Sequence, residues 1–142
     1  MKTRAIVLLI DHDQGVHQMM RAALSSEHIL VEAVESVSQG RKILRELVPN
    51  MLILEIGTGG ATEGLHLLYD LRRDEIFRKM PVIVSTDVHV KTDIDLAREL
   101  GTDYLPAQQF IAKPIEPAHL RQIVLQTLES NSFGGRWMRS VE

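Results

Sequence analysis

Met51-Leu52-Ile53-Leu54-Glu55 is an apolar run that stops at a carboxylate, and Ile56-Gly57-Thr58-Gly59-Gly60 turns the chain directly after it. A strand buried on both faces reads as a continuous apolar run, as the inner strands of a parallel sheet do. A carboxylate at its last position then stands at the rim, where the sheet opens to water. Three other stretches share this grammar. The run from Ala5 to Ile10 ends in Asp11-His12-Asp13, Val82-Ile83-Val84 ends in Ser85-Thr86-Asp87, and Phe110-Ile111-Ala112 ends in Lys113-Pro114. With these strands parallel, all four polar ends meet along one edge, the edge where open α/β sheets bind ligands. The rest of the chain reads as scaffold that brings Asp11, Glu55, Thr86 and Lys113 together.

Strand and helix alternate five times around this run, which predicts a doubly wound α/β domain with helices on both faces and right-handed crossovers. Strands are expected at residues 4–10, 29–34, around Glu55, after Pro81 and at Phe110. A helix over 14–26 takes Asp13 as N-cap and buries Val16, Met19, Met20 and Ala23. Ser36 caps a second helix whose face is Gly40, Ile43, Leu44 and Leu47, ended by Pro49-Asn50. A third spans 64–73, and a fourth spans 91–100, closed by Gly101. Pro117 opens the last helix, with Leu120, Ile123, Val124 and Leu128 as its stripe. The domain is expected over 1–130, and 131–142 reads as a flexible C-terminal tail, with Trp137 and Met138 as residues that could dock.

Composition narrows the function. A length of 142 residues suits one domain with a single core. The hydrophobic share of 44% and charged share of 25% are ordinary for a globular protein. A net charge of -3 and a pI near 6.1 give no basic surface for nucleic acid. There is no cysteine, which removes disulfides, thiolate chemistry and cysteine-ligated zinc. No run approaches the roughly 18 apolar residues of a membrane span, and the run after Arg4 is too short for a secretion signal. The expectation is a cytoplasmic protein with neither nucleic acid nor membrane as partner. No Ser-His-Asp set is readable, so hydrolase chemistry has no support, and the chain is not expected to be an enzyme.

The ordered markers Asp11-His12-Asp13, Glu55, Pro81-Val82-Ile83-Val84-Ser85-Thr86, Glu99-Leu100-Gly101-Thr102-Asp103-Tyr104 and Lys113-Pro114 together resemble the receiver domain of two-component response regulators. The resemblance covers about residues 4–130. It implies a flavodoxin-like (βα)5 fold, a five-stranded parallel sheet of order 2-1-3-4-5, an order for which a receiver is a standard example. In that family an aspartate ending the third strand accepts a phosphoryl group from a histidine kinase. Acids after the first strand hold Mg²⁺ with it, and a hydroxyl and a lysine contact the phosphoryl oxygens. Phosphoryl transfer needs such a nucleophilic oxygen, a divalent cation and donors that neutralise developing charge. Carried over, Glu55 takes the phosphoacceptor position; Asp11, His12 and Asp13 take the acidic pocket; Thr86, Phe110 and Lys113 take the switch and phosphate-contact positions. Asp11, Glu55 and the carbonyl of Gly57 take the metal positions.

Two departures fall on the reaction centre. Glu55 is one methylene longer than aspartate, which moves its carboxylate by about 1.5 Å. It then reaches toward the space of a phosphoryl group, to pair with Lys113 and accept a hydrogen bond from Thr86. His12 puts imidazole where the family has a second acid, which lowers the expected affinity for Mg²⁺. The implied function is therefore an atypical receiver that signals through protein contacts, with a histidine kinase or a downstream effector as partner. The resemblance also implies a homodimer through the helix at 91–100 (with Ile94), the strand at Phe110 and the helix at Pro117. Competing readings are a working phosphorelay receiver using Glu55 or Asp13, a transition-metal site from His12, Asp11 and Glu55, and a nucleotide on the glycine loop 57–62. That loop lacks the Gly-Lys-Ser/Thr of a P-loop. His17, His28, His66, His89 and His119 show no ligand spacing and are expected at the surface.

Overall fold

The structure, a computed structural model, describes residues 4–56, 62–87, 100–103, 105–131, 133–134 and 136–137. Its strands are β1 (Ala5–Ile10), β2 (Ile29–Val34), β3 (Leu47–Val48), β4 (Met51–Glu55), β5 (Val82–Asp87), β6 (Gln109–Lys113) and β7 (Arg136–Trp137). Its helices are α1 (Gln14–Leu24), α2 (Val37–Leu44), α3 (Glu63–Arg73) and α4 (Pro117–Ser130). The expected helix at 91–100 and the glycine loop, including Gly57 and Ile94, lie outside the described residues apart from Leu100 and Thr62.

Five strands form one parallel sheet in the order β2-β1-β4-β5-β6. Counting only these five along the chain, that is the expected 2-1-3-4-5. Alternation of side chains across the pleat splits each inner strand between two cores. Leu8, Ile10, Leu52, Leu54, Val82 and Val84 pack under α2 and α3 with Leu44, Leu67, Leu68 and Leu71. Val7, Leu9, Met51, Ile53 and Ile83 pack under α1 and α4 with Met20, Leu24, Leu120, Ile123 and Val124. Burial on both faces is why these strands read as unbroken apolar runs.

The caps fall where the sequence puts them. The Asp13 carboxylate accepts from the Gly15 N–H. Ser36 and Gln39 form a reciprocal capping box at α2. Pro117 lies in the first turn of α4, whose N-cap Glu116 accepts from the His119 N–H.

One element differs. Leu47 continues the spacing of Gly40, Ile43 and Leu44, but α2 stops at Leu44, and Leu47–Val48 forms β3. It pairs antiparallel with β7, so the segment expected as a loose tail returns beneath the domain. Asn50 anchors this return: its Nδ2 donates to the Phe133 carbonyl while its Oδ1 accepts from the Ile6 N–H. Gly134 has φ +71, and a Cβ there would stand 2.1 Å from the Pro49 carbonyl oxygen, so no other residue fits the crossing as built.

Candidate functional site

The four polar strand ends do meet. Parallel register sets Ile10 beside Leu54, Glu55 beside Ser85 and Asp87 beside Lys113. Asp11, Glu55, Thr86 and Lys113 therefore stand along one rim, at the C-terminal ends of their strands.

Lys113 closes the site from β6. Its Nζ donates to Glu55 Oε2 at 2.5 Å and to Asp11 Oδ1 at 3.1 Å. Asp11 Oδ2 also lies 2.9 Å from Nζ, an ion-pair distance, yet this buried oxygen has no hydrogen bond of acceptable angle. From the other side His12 donates twice to Glu55 Oε1, through its backbone N–H at 3.1 Å and through Nδ1 at 2.6 Å. The Asp11 side chain is 0% exposed, Glu55 9% and Lys113 14%, whereas His12 is 61% exposed. The site is a charged cluster of buried carboxylates with an exposed imidazole at its edge.

These contacts set the protonation tendencies. Burial pushes the Glu55 carboxyl up, but the hydrogen bonds from His12 and Lys113 outweigh it and leave it below the usual glutamate value. The hydrogen bond to Glu55 lifts His12 above the usual histidine value, against a smaller opposing effect of burial. Burial pulls the Lys113 ammonium down, and the bonds to Glu55 and Asp11 more than restore it. The carboxylate and the ammonium thus hold each other in their charged forms, and the carboxylate favours protonation of the imidazole.

The expected pocket is redistributed. Thr86 is buried on β5 as anticipated, but among the described residues the Glu55 oxygens take hydrogen bonds from His12 and Lys113 and none from Thr86. Asp13 gives its carboxylate to the α1 cap, and its N–H donates to Asp11 Oδ1 at 2.9 Å. Phe110 is half-buried against the core on the α2 and α3 side. The Gly57 carbonyl lies outside the described residues.

His17, expected at the surface, is buried and its Nε2 donates to the Asp11 carbonyl at 2.7 Å. It shares the i, i+3, i+7 spacing of Met20 and Leu24, the two apolar residues α1 buries, and that spacing was the signal available for it. Gly64 also shapes the site. A Cβ on it would stand 2.8 Å from the Glu55 carbonyl oxygen, so α3 starts directly against the strand end that carries the carboxylate. Beside the cluster opens a groove of about 440 Å³, lined by Val16, Met19, Pro114 and Ile115 with Asp13, Asp87 and Lys113 around it.

A family model described as "Response regulator receiver domain" matches residues 7–125. The chain belongs to this family. Transcriptional regulatory protein AfsQ1 of Streptomyces coelicolor is 25% identical over 136 residues, covering 90% of this chain and 56% of that protein. The phosphate regulon transcriptional regulatory protein PhoB of Pseudomonas aeruginosa is 25% identical over 114 residues, covering 80% and 47%. The chain spans about half the length of the curated relatives it matches. Among solved structures, the signal receiver domain of a signal transduction histidine kinase from Syntrophus aciditrophicus superposes with a TM-score of 0.75 at 19% identity, covering 97% of this chain and 96% of that one. A response regulator from Thermotoga maritima gives 0.71 at 19% identity, covering 87% and 97%. At such identity these two speak for the fold alone.

Receiver domains bind Mg²⁺ in the acidic pocket at this rim, and the residues of this receiver fit that ion only in part. Asp11 and Glu55 offer the hard oxygens Mg²⁺ prefers. The third ligand within reach is the His12 imidazole, a nitrogen better suited to zinc, copper, iron or nickel. Among the described residues, no helix is long and apolar enough to cross a membrane.

Proposed function

We propose that this receiver domain serves two-component signalling as a protein-interaction module that does not depend on phosphorylation at the third-strand carboxylate. One observation carries the reading: both Glu55 oxygens are already engaged, Oε2 by Lys113 and Oε1 twice by His12. A nucleophile must present a free lone pair in line with the phosphoryl donor. Here Oε1 takes two bonds from His12 and Oε2 is held by the Lys113 ammonium, and the carboxylate lies about 1.5 Å further along its side chain than an aspartate would. Mg²⁺, which the reaction requires, meets an imidazole in its ligand set and binds more weakly than in a receiver with two acids after the first strand.

The carboxylate then stands partly in for a phosphoryl group, with about one unit of charge against up to two. Its partner is a signalling protein, a histidine kinase or a downstream effector, which reads the rim or the surface around β6 and α4. The same surface is proposed for a homodimer.

The test is intact-protein mass after incubation with Mg²⁺ and acetyl phosphate, beside a competent receiver as positive control. No phosphoryl-sized gain is expected for the parent, and a gain is expected for Glu55→Asp. A gain in the parent that is lost when acyl phosphates are cleaved sinks the proposal. An inert Glu55→Asp assigns part of the loss to His12.

A further inference from the structure

We propose that the Leu47–Val48 edge is a strand-docking site through which two copies of this chain exchange their segments 133–137, each copy filling the edge of the other. The inference goes beyond the reading above. It concerns the opposite end of the sheet and needs nothing from Glu55.

The site and its ligand are both on this chain, one seated on the other. β3 pairs antiparallel with β7, Leu47 opposite Trp137 and Val48 opposite Arg136. Leu47 and Val48 are fully buried. Phe133 packs against the cluster that contains Val48. The fit is specific. A Cβ at Gly134 would stand 2.1 Å from the Pro49 carbonyl oxygen and 3.2 Å from Val48 Cγ1, so a glycine is needed where the segment crosses. Asn50 grips the Phe133 carbonyl through Nδ2 while its Oδ1 holds the Ile6 N–H. None of these contacts depends on which copy supplies the segment.

The energetics favour a segment that can leave and return. A short ladder and the Asn50 bond hold it, which places it among the parts of a protein that open locally at low cost. Opening bares a buried apolar edge, and capture of a second copy's segment restores the contacts that were lost. Such an exchange of identical elements is a low-cost route to a dimer. The connection is short as well. α4 runs to Ser130, Asn131 is already extended at φ -136 and ψ 143, and Phe133 is docked, so Asn131 and Ser132 alone join helix to segment. Short hinges are the ones that invite exchange.

Exchange leaves both rims free for partners. Asn50 is tied to Ile6 near the start of β1, and Glu55 ends β4 at its far end, about 13 Å along the strand from Met51 at roughly 3.3 Å per residue.

The experiment uses full-length chains. The sequence has no cysteine, so an introduced pair reports alone. Val48→Cys and Arg136→Cys are made separately and together. Opposed residues of an antiparallel pair have Cα atoms about 4.5–5.5 Å apart, inside the span of a disulfide. The two single variants are mixed at high concentration, equilibrated and oxidised. A disulfide between the two chains is expected, and the parent should show a species of doubled mass whose share rises with concentration. In the double variant the bond should form between copies at high concentration and within one copy on dilution. Inserting Gly-Ser-Gly-Ser between Asn131 and Ser132 should return the population to monomer. Leu47→Cys with Trp137→Cys, the other opposed pair, repeats the reading should Val48→Cys fail to fold. A bond that forms only within one copy at every concentration overturns the proposal and leaves 133–137 as an internal strap. A doubled mass without the inter-chain bond also overturns it, assigning the dimer to another surface. So does the lack of any bond in either double variant, since the β3 and β7 pair itself is then absent.

Discussion

Replacing Lys113 with methionine keeps most of its apolar stem and removes the ammonium between two carboxylates. Nζ lies 2.5 Å from Glu55 and 2.9 Å from Asp11. At an effective dielectric of about 20 each contact is worth roughly 6 kcal/mol before desolvation. Desolvation of the three groups offsets most of that, but deleting one partner does not return it, because the other two stay buried and face each other uncompensated. Such deletions cost about 3–5 kcal/mol. The site is at a rim and Lys113 is 14% exposed, so the low end, about 3 kcal/mol, is expected. That is a large part of a typical stability of about 5–15 kcal/mol. Urea unfolding at neutral pH should show it as a lower midpoint with an unchanged slope.

The pH dependence of that deficit carries the sign. In the parent the folded Glu55 value is lowered, so its contribution is present above the usual glutamate value of 4.5 and is lost as pH falls through the folded value. In Lys113→Met two like charges adjoin and one carboxyl value rises, so the deficit should shrink on acidification. Glu55→Gln in the same background should recover most of the loss, giving a large coupling in the double-mutant cycle. A deficit under about 1 kcal/mol, the scale of exposed pairs, or one that grows as pH falls, would refute the claim that Lys113 neutralises a buried carboxylate pair.

Three further outcomes are expected. The His12 imidazole, followed by NMR, should titrate above 6.5 because of its bond to Glu55 and move back toward that value in Glu55→Gln; any stability it lends is present below its ordinary value and fades as pH rises through the folded one. Gly64→Ala should destabilise by about 1–3 kcal/mol, since its Cβ meets the Glu55 carbonyl at 2.8 Å and either the helix or the strand end must shift; an unchanged urea midpoint would contradict this. Arg72, which donates to the carbonyls of Pro106 and Met80 and to Gln108 Oε1, ties the stretch before β5 to the approach of β6; Arg72→Ala should cost about 2–4 kcal/mol by leaving those acceptors unmet, with faster amide exchange at Val82 as a second readout.

The sheet was legible because burial on both faces leaves a local trace, and Met51-Leu52-Ile53-Leu54 carries it without reference to anything distant. The rim residues were legible for the same reason, as the first polar residue after its run for Asp11, Glu55 and Lys113 and the second for Thr86. What failed depended on partners far along the chain. Leu47 satisfies a helical stripe and a strand equally well, and only the return of Arg136–Trp137 decides between them. The bonds of Glu55 were half legible. Lys113 was anticipated, but the choice of His12 over Thr86 for the second oxygen depends on how the loop after β1 turns the imidazole, which no spacing encodes. His17 shows the opposite error: its helical spacing with Met20 and Leu24 was local and readable, but a search for metal-ligand spacing among histidines passes over a histidine that holds a carbonyl.

The two departures from the family pattern belong to one arrangement. With an acid at position 12, three carboxylates would face one lysine and leave two negative charges, a strong demand for a dication. With His12 the cluster carries Asp11 and Glu55 against Lys113, one net negative charge, or none once the imidazole takes a proton. The longer side chain of Glu55 lets one carboxylate use both neighbours at once, Lys113 through Oε2 and His12 through Oε1. Shortening it to aspartate withdraws the carboxylate by about 1.5 Å and strands the imidazole. Exchanging His12 for an acid while keeping Glu55 places two carboxylates where a 2.6 Å hydrogen bond stood. Each change alone breaks a contact the other depends on. The proton on the imidazole that meets Glu55 therefore sets the charge of this rim, one net negative charge without it and none with it.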